Sequence, residues 1–176
     1  MLAWVMHMRI ATMNRSLPVT TLTFAPDGRC VTGQVLQRRS APMSSAVIVG
    51  AARTAIGTAR KGSLANTPPE TLAATVIKAA VERSGFSPQE IDDIILAESL
   101  QGGGAIARHA AVELGMNGAP GTAVNRHCAG GLTAIGFGAA SVLAGLERAV
   151  IAGGVHSSSF FPHMQQRDPA SGAMQD

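Results

Sequence analysis

"TAVNRHCAGGLTAIGFGAASVLAGLERAVIAGG", residues 122–154, holds a strand, a turn, a helix and a second strand in one run. "TAVN" reads as a short strand. Residues 129–146 carry no charge and read as a helix rich in Gly, Ala, Ser and Thr. "AVIAGG" opens a new strand two residues later. The same alternation extends upstream.

"AVIVG" at 46–50 is a short apolar run ending in glycine, which suits a buried strand. "TPPETLAATVIKAAVERSG" then has the marks of a helix. Thr67 is expected to cap it, with Pro68 first and Glu70 three residues after the cap. Leu72, Ala73, Val76, Ile77, Ala80 and Val81 form its apolar stripe, and Gly85 its stop. "SPQE" repeats the capping pattern on a short helix, and "DIILA" reads as a strand. "LQGGG" reads as a loop and "IARHAAVELG" as a helix ended by glycine. Strands alternating with helices predict an α/β layered fold with a mostly parallel sheet.

Composition excludes several classes. The chain is 46% hydrophobic and 14% charged, enough to bury one core of domain size. Cys30 and Cys128 are two cysteines far apart, so neither a disulfide framework nor a metal site is expected. The net charge of +3 comes from residues 1–44, which hold five arginines against one aspartate; residues 45–176 hold nine basic and ten acidic groups. With 3% aromatics and no tyrosine, nucleic-acid binding is set aside.

Residues 1–44 have two readings. They are Arg-bearing and acid-poor like a mitochondrial transit peptide, or Met43 is the working start and the protein cytoplasmic. The second is preferred. Either way Pro18, Pro26, Gly28 and Gly33 make 1–44 poor fold material and 45–176 the folding domain. The twenty uncharged residues His127–Leu146 raise a membrane span. Their small side chains and the strand just after them favour a buried central helix, with no membrane partner.

Cys128 stands where a strand turns into that helix, just before Gly130 and Gly131. The first-turn N–H groups of a helix lack internal partners, and its dipole is positive there. Such a place favours a thiolate and an oxyanion formed when sulfur attacks a carbonyl. The arrangement suits acyl transfer through a thioester, with Cys128 as nucleophile. The plain alternative is a small buried hydrophobe. Adjacency alone does not make His127 its base, and Arg126 reads as structural support. His109 and His163 lack metal-ligand spacing, and "GGG" at 102–104 lacks the Lys-Ser/Thr of a phosphate loop.

"VNRHCAGGLTAIGFGAASVLAGLERAVIAGGVHSSS" resembles the acyl-enzyme cysteine region of the thiolase family, the acetyl-CoA acetyltransferases and 3-ketoacyl-CoA thiolases. "AVIVGAARTAIG" is similar to that family's first strand and turn, and "LQGGGAIARHAAVELG" to its Ala-Arg-x-Ala-Ala helix. The resemblance covers about residues 46–170. It implies a thiolase-like fold, Cys128 as the acyl-carrying residue, acyl-CoA and CoA as substrates, no permanently bound cofactor, and a homo-oligomer, dimer or tetramer, at full length.

Departures accompany it. Gly130 stands where many thiolases have serine, His156 where they commonly have glutamate, and Ser158 where they commonly have methionine. The family's later half carries a Gly-His-Pro motif and a second cysteine in Cys-x-Gly. The first is missing here, and the second occurs only at Cys128 itself. The expectation is an incomplete N-terminal half, truncated at the start of the loop domain, holding the nucleophile but inactive alone. A non-catalytic assembly subunit and a ketoacyl-synthase-like condensing enzyme are the alternatives. A redox sensor lacks a resolving cysteine near 128.

Overall fold

The computed structural model describes residues 2–13, 23–24, 30–31, 43–99, 105–160, 166–171 and 174–175. The glycine loop at 102–104 and His163 lie outside the described residues. In chain order the strands are β1 (Leu2–Met13), β2 (Thr23–Phe24), β3 (Cys30–Val31), β4 (Met43–Arg53), β5 (Asp93–Glu98), β6 (Thr122–Val124), β7 (Ala149–His156), β8 (Gln166–Arg167) and β9 (Met174–Gln175). Among the described residues three α-helices interleave: α1 (Pro69–Ser84), α2 (Ile106–Glu113) and α3 (Gly130–Ala144).

One five-stranded sheet, ordered β4-β1-β7-β5-β6, organises the molecule. β5 pairs in parallel with both β6 and β7, while β1 runs antiparallel to β4 and β7. Four strands therefore point one way and one opposes them. Both faces are covered, which explains the near-continuous apolar strands. Ile94, Leu96, Ile151 and Val155 pack with the stripes of α1 and α2 on one face. Ile95, Val150 and Ala152 pack with Ala134 and Val142 of α3 on the other. The period of two along β5 and β7 thus feeds two cores, giving a helix–sheet–helix sandwich.

The helix boundaries follow local chemistry. The expected α1 stripe is buried throughout, and Gly85 closes the helix at φ 75°. The expected Thr67 cap is corrected. The cap position is Pro68, at φ −57° and ψ 146°, and no side chain caps the helix. A residue before proline is driven out of the helical region, so Pro69 moves the start one residue later. At "SPQE" the capping box forms, with the Ser87 amide and hydroxyl both donating to Glu90 Oε2. Buried Glu98 accepts from the Ile106 amide and so serves the start of α2 from the end of β5.

Within residues 1–44, which composition sets aside, Leu2–Met13 form a strand between β4 and β7. The prolines and glycines that count against the segment all follow it; "LAWVMHMRIATM" has none and is a nearly continuous apolar run, broken only by His7, Arg9 and Thr12. Helix α3 is not a buried central helix. Its buried residues are Gly130, Ala134, Gly138 and Val142, one stripe at four-residue spacing. Leu132, Phe137, Leu143 and Leu146 are exposed. Small residues let α3 lie close on the sheet by one face only. His127–Ala144 is long and apolar enough to cross a membrane by composition, and 22% of it is buried.

Asp92 pins the amino ends of β5 and β7, at the end of the sheet opposite the cysteine. Its Oδ2 accepts the amides of Arg148 and Ala149 at 2.6 and 3.1 Å, and the Arg148 guanidinium lies 3.6 Å from Oδ1. Burial pushes this carboxyl up, but those donors together outweigh it and hold it below its ordinary value. A depressed folded pKa gives stability that is full above about pH 4 and lost as pH falls through the folded value. Asp92→Asn is expected to cost about 2 kcal/mol at neutral pH and to flatten that acid-side slope, read by urea unfolding across pH.

Candidate active site

The carboxyl ends of the parallel strands β5, β6 and β7 lie together, at Glu98, Val124 and His156. Ligands of open α/β sheets bind beyond such ends. Here the chain leaves β6, makes a 3-10 turn over His127–Ala129 and enters α3 at Gly130. Cys128 is in that turn, exposed and free. The thiol is therefore not buried among the described residues.

Asn125 holds the turn. Its Nδ2 donates to the Ser99 carbonyl at 2.9 Å, tying it to the end of β5. Its Oδ1 accepts the His127 amide at 3.0 Å. His127 adopts φ 45°, a left-handed conformation that costs energy for a residue with a side chain. That strained residue immediately precedes the thiol. His127 therefore lends the turn its backbone, while Arg126 Nη1 reaches Thr133 Oγ1 at 3.4 Å on the first turn of α3.

The amides of Ala129 and Gly130 bond to the carbonyls of Arg126 and His127. The tight turn thus consumes two of the donors that sequence reasoning offered to an oxyanion, leaving the positive end of the α3 dipole. The seat under this helix start is made of small residues. A Cβ added at Gly130 would lie 2.7 Å from Ala97 Cβ, and one at Gly154 would lie 3.1 Å from it.

A second set of polar groups joins the same strand ends. Ser99 Oγ lies 2.9 Å from His156 Nδ1, and His156 Nε2 lies 3.0 Å from Ser158 Oγ. Burial holds this imidazole below its ordinary pKa, so it is neutral at pH 7. Sequence reading marks His156 and Ser158 only as departures from a motif. The link through Ser99 to Asn125 is a tertiary fact that no spacing reveals. Asn125 itself had a signal, an Asx residue just after a strand. His109 is elsewhere, on the exposed face of α2, 3.9 Å from Glu113. Among the described residues no group of three or more His, Cys, Asp or Glu is placed to share a metal ion.

Comparison with known proteins agrees with this layout. A family model, "Thiolase, N-terminal domain", matches residues 46–176. An acetyl-CoA acetyltransferase of Cupriavidus necator is 40% identical over 125 residues, 69% of this chain and 32% of that protein. One from Escherichia coli is 38% identical over 133 residues, 74% of this chain and 34% of that one. A Bacillus subtilis 3-ketoacyl-CoA thiolase is 37% identical over 126 residues, 69% of this chain and 32% of that protein. The crystal structure of the Bacillus anthracis acetyl-CoA acetyltransferase superposes with a TM-score of 0.68 at 33% identity, covering 75% of this chain and 34% of that one. The chain thus spans about a third of the length of the relatives it matches.

Proposed function

The chain belongs to the thiolase family, matching its N-terminal domain, and from this premise we propose that it supplies the nucleophile of an acyltransferase acting on CoA thioesters. The observation that carries the reading is the exposed Cys128 on a strained turn at the N-terminus of α3. Its thiolate attacks the thioester carbonyl, the C–S bond to CoA breaks, and CoA leaves as its thiolate, to be protonated. The acyl group then rests on Cys128 until a second acyl-CoA, or CoA in the reverse direction, accepts it. The helix dipole favours negative charge on the attacking sulfur and on the tetrahedral oxygen.

The substrates are acyl-CoA and CoA, and no bound cofactor enters the scheme. A free thiol nucleophile suits a reducing compartment, which supports the cytoplasm. The outward face of α3, with Leu132 72% and Leu146 79% exposed, supports an assembly in which another protein body covers it, and a homo-oligomer is the form proposed. To test the chemistry, the chain is incubated with acetyl-CoA and digested, and its peptides are weighed. Acetyl thioester is expected on the Cys128 peptide. Acetylation confined to other residues would sink the proposal.

A further inference from the structure

Backbone pairing between β5 and β7 ends at Glu98↔Val155, and that between β5 and β6 ends at Ala97↔Val124. The next residues along the three strands are Ser99, His156 and Asn125. Side chains take over there. Ser99 Oγ lies 2.9 Å from His156 Nδ1, and the Ser99 carbonyl accepts from Asn125 Nδ2 at 2.9 Å. Ser99 therefore joins the end of β7 to the end of β6.

His156 is the anchored end of this linkage. Its neighbours Val155 and Ser157 are buried, and its Nε2 lies 3.0 Å from Ser158 Oγ, so the ring is held from both sides. A neutral imidazole has one donor and one acceptor nitrogen, and a hydroxyl can act as either, so both contacts are made in either tautomer. Asn125 is the working end. Its Oδ1 accepts the His127 amide at 3.0 Å, and His127 stands at φ 45°. A strained backbone keeps its conformation only while its surroundings enforce it. Enforcement runs from His156 through Ser99 and Asn125 to the residue before Cys128.

We propose that His156 is a positioning residue for Cys128: by holding Ser99 at the end of β5 it fixes Asn125, and through Asn125 the His127 backbone that presents the thiol. In this role it touches no reacting atom. What it contributes is constancy of place, because a displacement of about 1 Å at the nucleophile costs roughly 10²-fold in rate. Its effect on acylation rests on the acyltransfer reading; its effect on the turn rests on the hydrogen bonds alone.

Acetylation of Cys128 by acetyl-CoA and hydrogen exchange at the His127 amide are followed in the full chain and in three variants, with urea unfolding to check that each is folded. His156→Ala is expected to slow acetylation about tenfold and to speed exchange of that amide about tenfold. Asparagine carries its amide group where Nδ1 stands, and glutamine carries it nearer the place of Nε2. His156→Asn thus keeps the bond to Ser99 and is expected to recover most of both losses, while His156→Gln behaves like His156→Ala. Loss of packing alone predicts the opposite order, since glutamine fills more of the imidazole's volume than asparagine. If His156→Ala does not fold, the contrast between His156→Asn and His156→Gln decides by itself. Equal behaviour of those two, or unchanged exchange at His127 in His156→Gln, overturns the proposal. No acetylation of Cys128 in the unaltered chain would overturn the acyltransfer reading instead, and exchange at His127 would still decide the role of His156.

Discussion

Given acetyl-CoA, the purified chain is expected to release about one CoA per chain and then stop, since acylation consumes the thiol once. Turnover needs an acid/base for the second acyl transfer, and such groups contribute about 10²–10⁴-fold. The sequence holds no Gly-His-Pro motif and no second cysteine in a Cys-x-Gly motif. The histidine at the strand ends, His156, has both ring nitrogens within hydrogen-bond distance of serine hydroxyls. Cys128→Ala is expected to abolish the burst altogether. CoA release, followed by thiol-reactive dye over many equivalents, distinguishes the outcomes. Sustained release that Cys128→Ala abolishes would place the base within these 176 residues.

The second large effect is expected at Gly130. In a helix interior, alanine for glycine ordinarily stabilises by about 1 kcal/mol, and Gly130 has the helical φ −57° and ψ −46° that alanine accepts. The added methyl, however, would lie 2.7 Å from Ala97 Cβ, which is fixed to β5. Overpacking of this kind costs about 1–3 kcal/mol, so the usual gain is cancelled and Gly130→Ala destabilises by up to about 2 kcal/mol net. Relief by lifting the helix start also moves Cys128, and a displacement of about 1 Å costs roughly 10²-fold in reaction rate. Adding Ala97→Gly moves the methyl from one side of the contact to the other and should recover much of both losses. Urea unfolding and the acylation rate read the two effects. Gly130→Ala with unchanged stability would mean that the seat yields freely.

The sequence made much of this fold legible because local rules and tertiary packing agree there. The α1 stripe, Gly85, the Ser87–Glu90 box and the β5–α2–β6–α3–β7 alternation are set by patterns a few residues long. Cys128 was legible for the same reason, since a strand, a turn and a helix meet at it. What escaped depends on partners distant in the chain. The place of β1 depends on β7, well over a hundred residues away. The exposure of half of α3 depends on what does not cover it, and a run of apolar residues looks the same on either side of a helix. The Asn125–Ser99–His156 linkage needs three strand ends brought side by side, which no window along the chain displays.

The position of β1 also sets a timetable. A ribosome delivers it first, then β4, but β7 begins only at Ala149, almost a hundred residues after β4 ends at Arg53. At synthesis rates of about 5–20 residues per second, the two early strands wait roughly 5–20 s for their other neighbour. During that interval a β1–β4 ribbon would leave bare the edge of β1 that β7 later pairs with, in addition to the outer edge of β4. Slowing translation between Arg53 and Ala149 lengthens that exposure. Codon choice in that interval is therefore expected to change the yield of the folded chain without changing the finished fold.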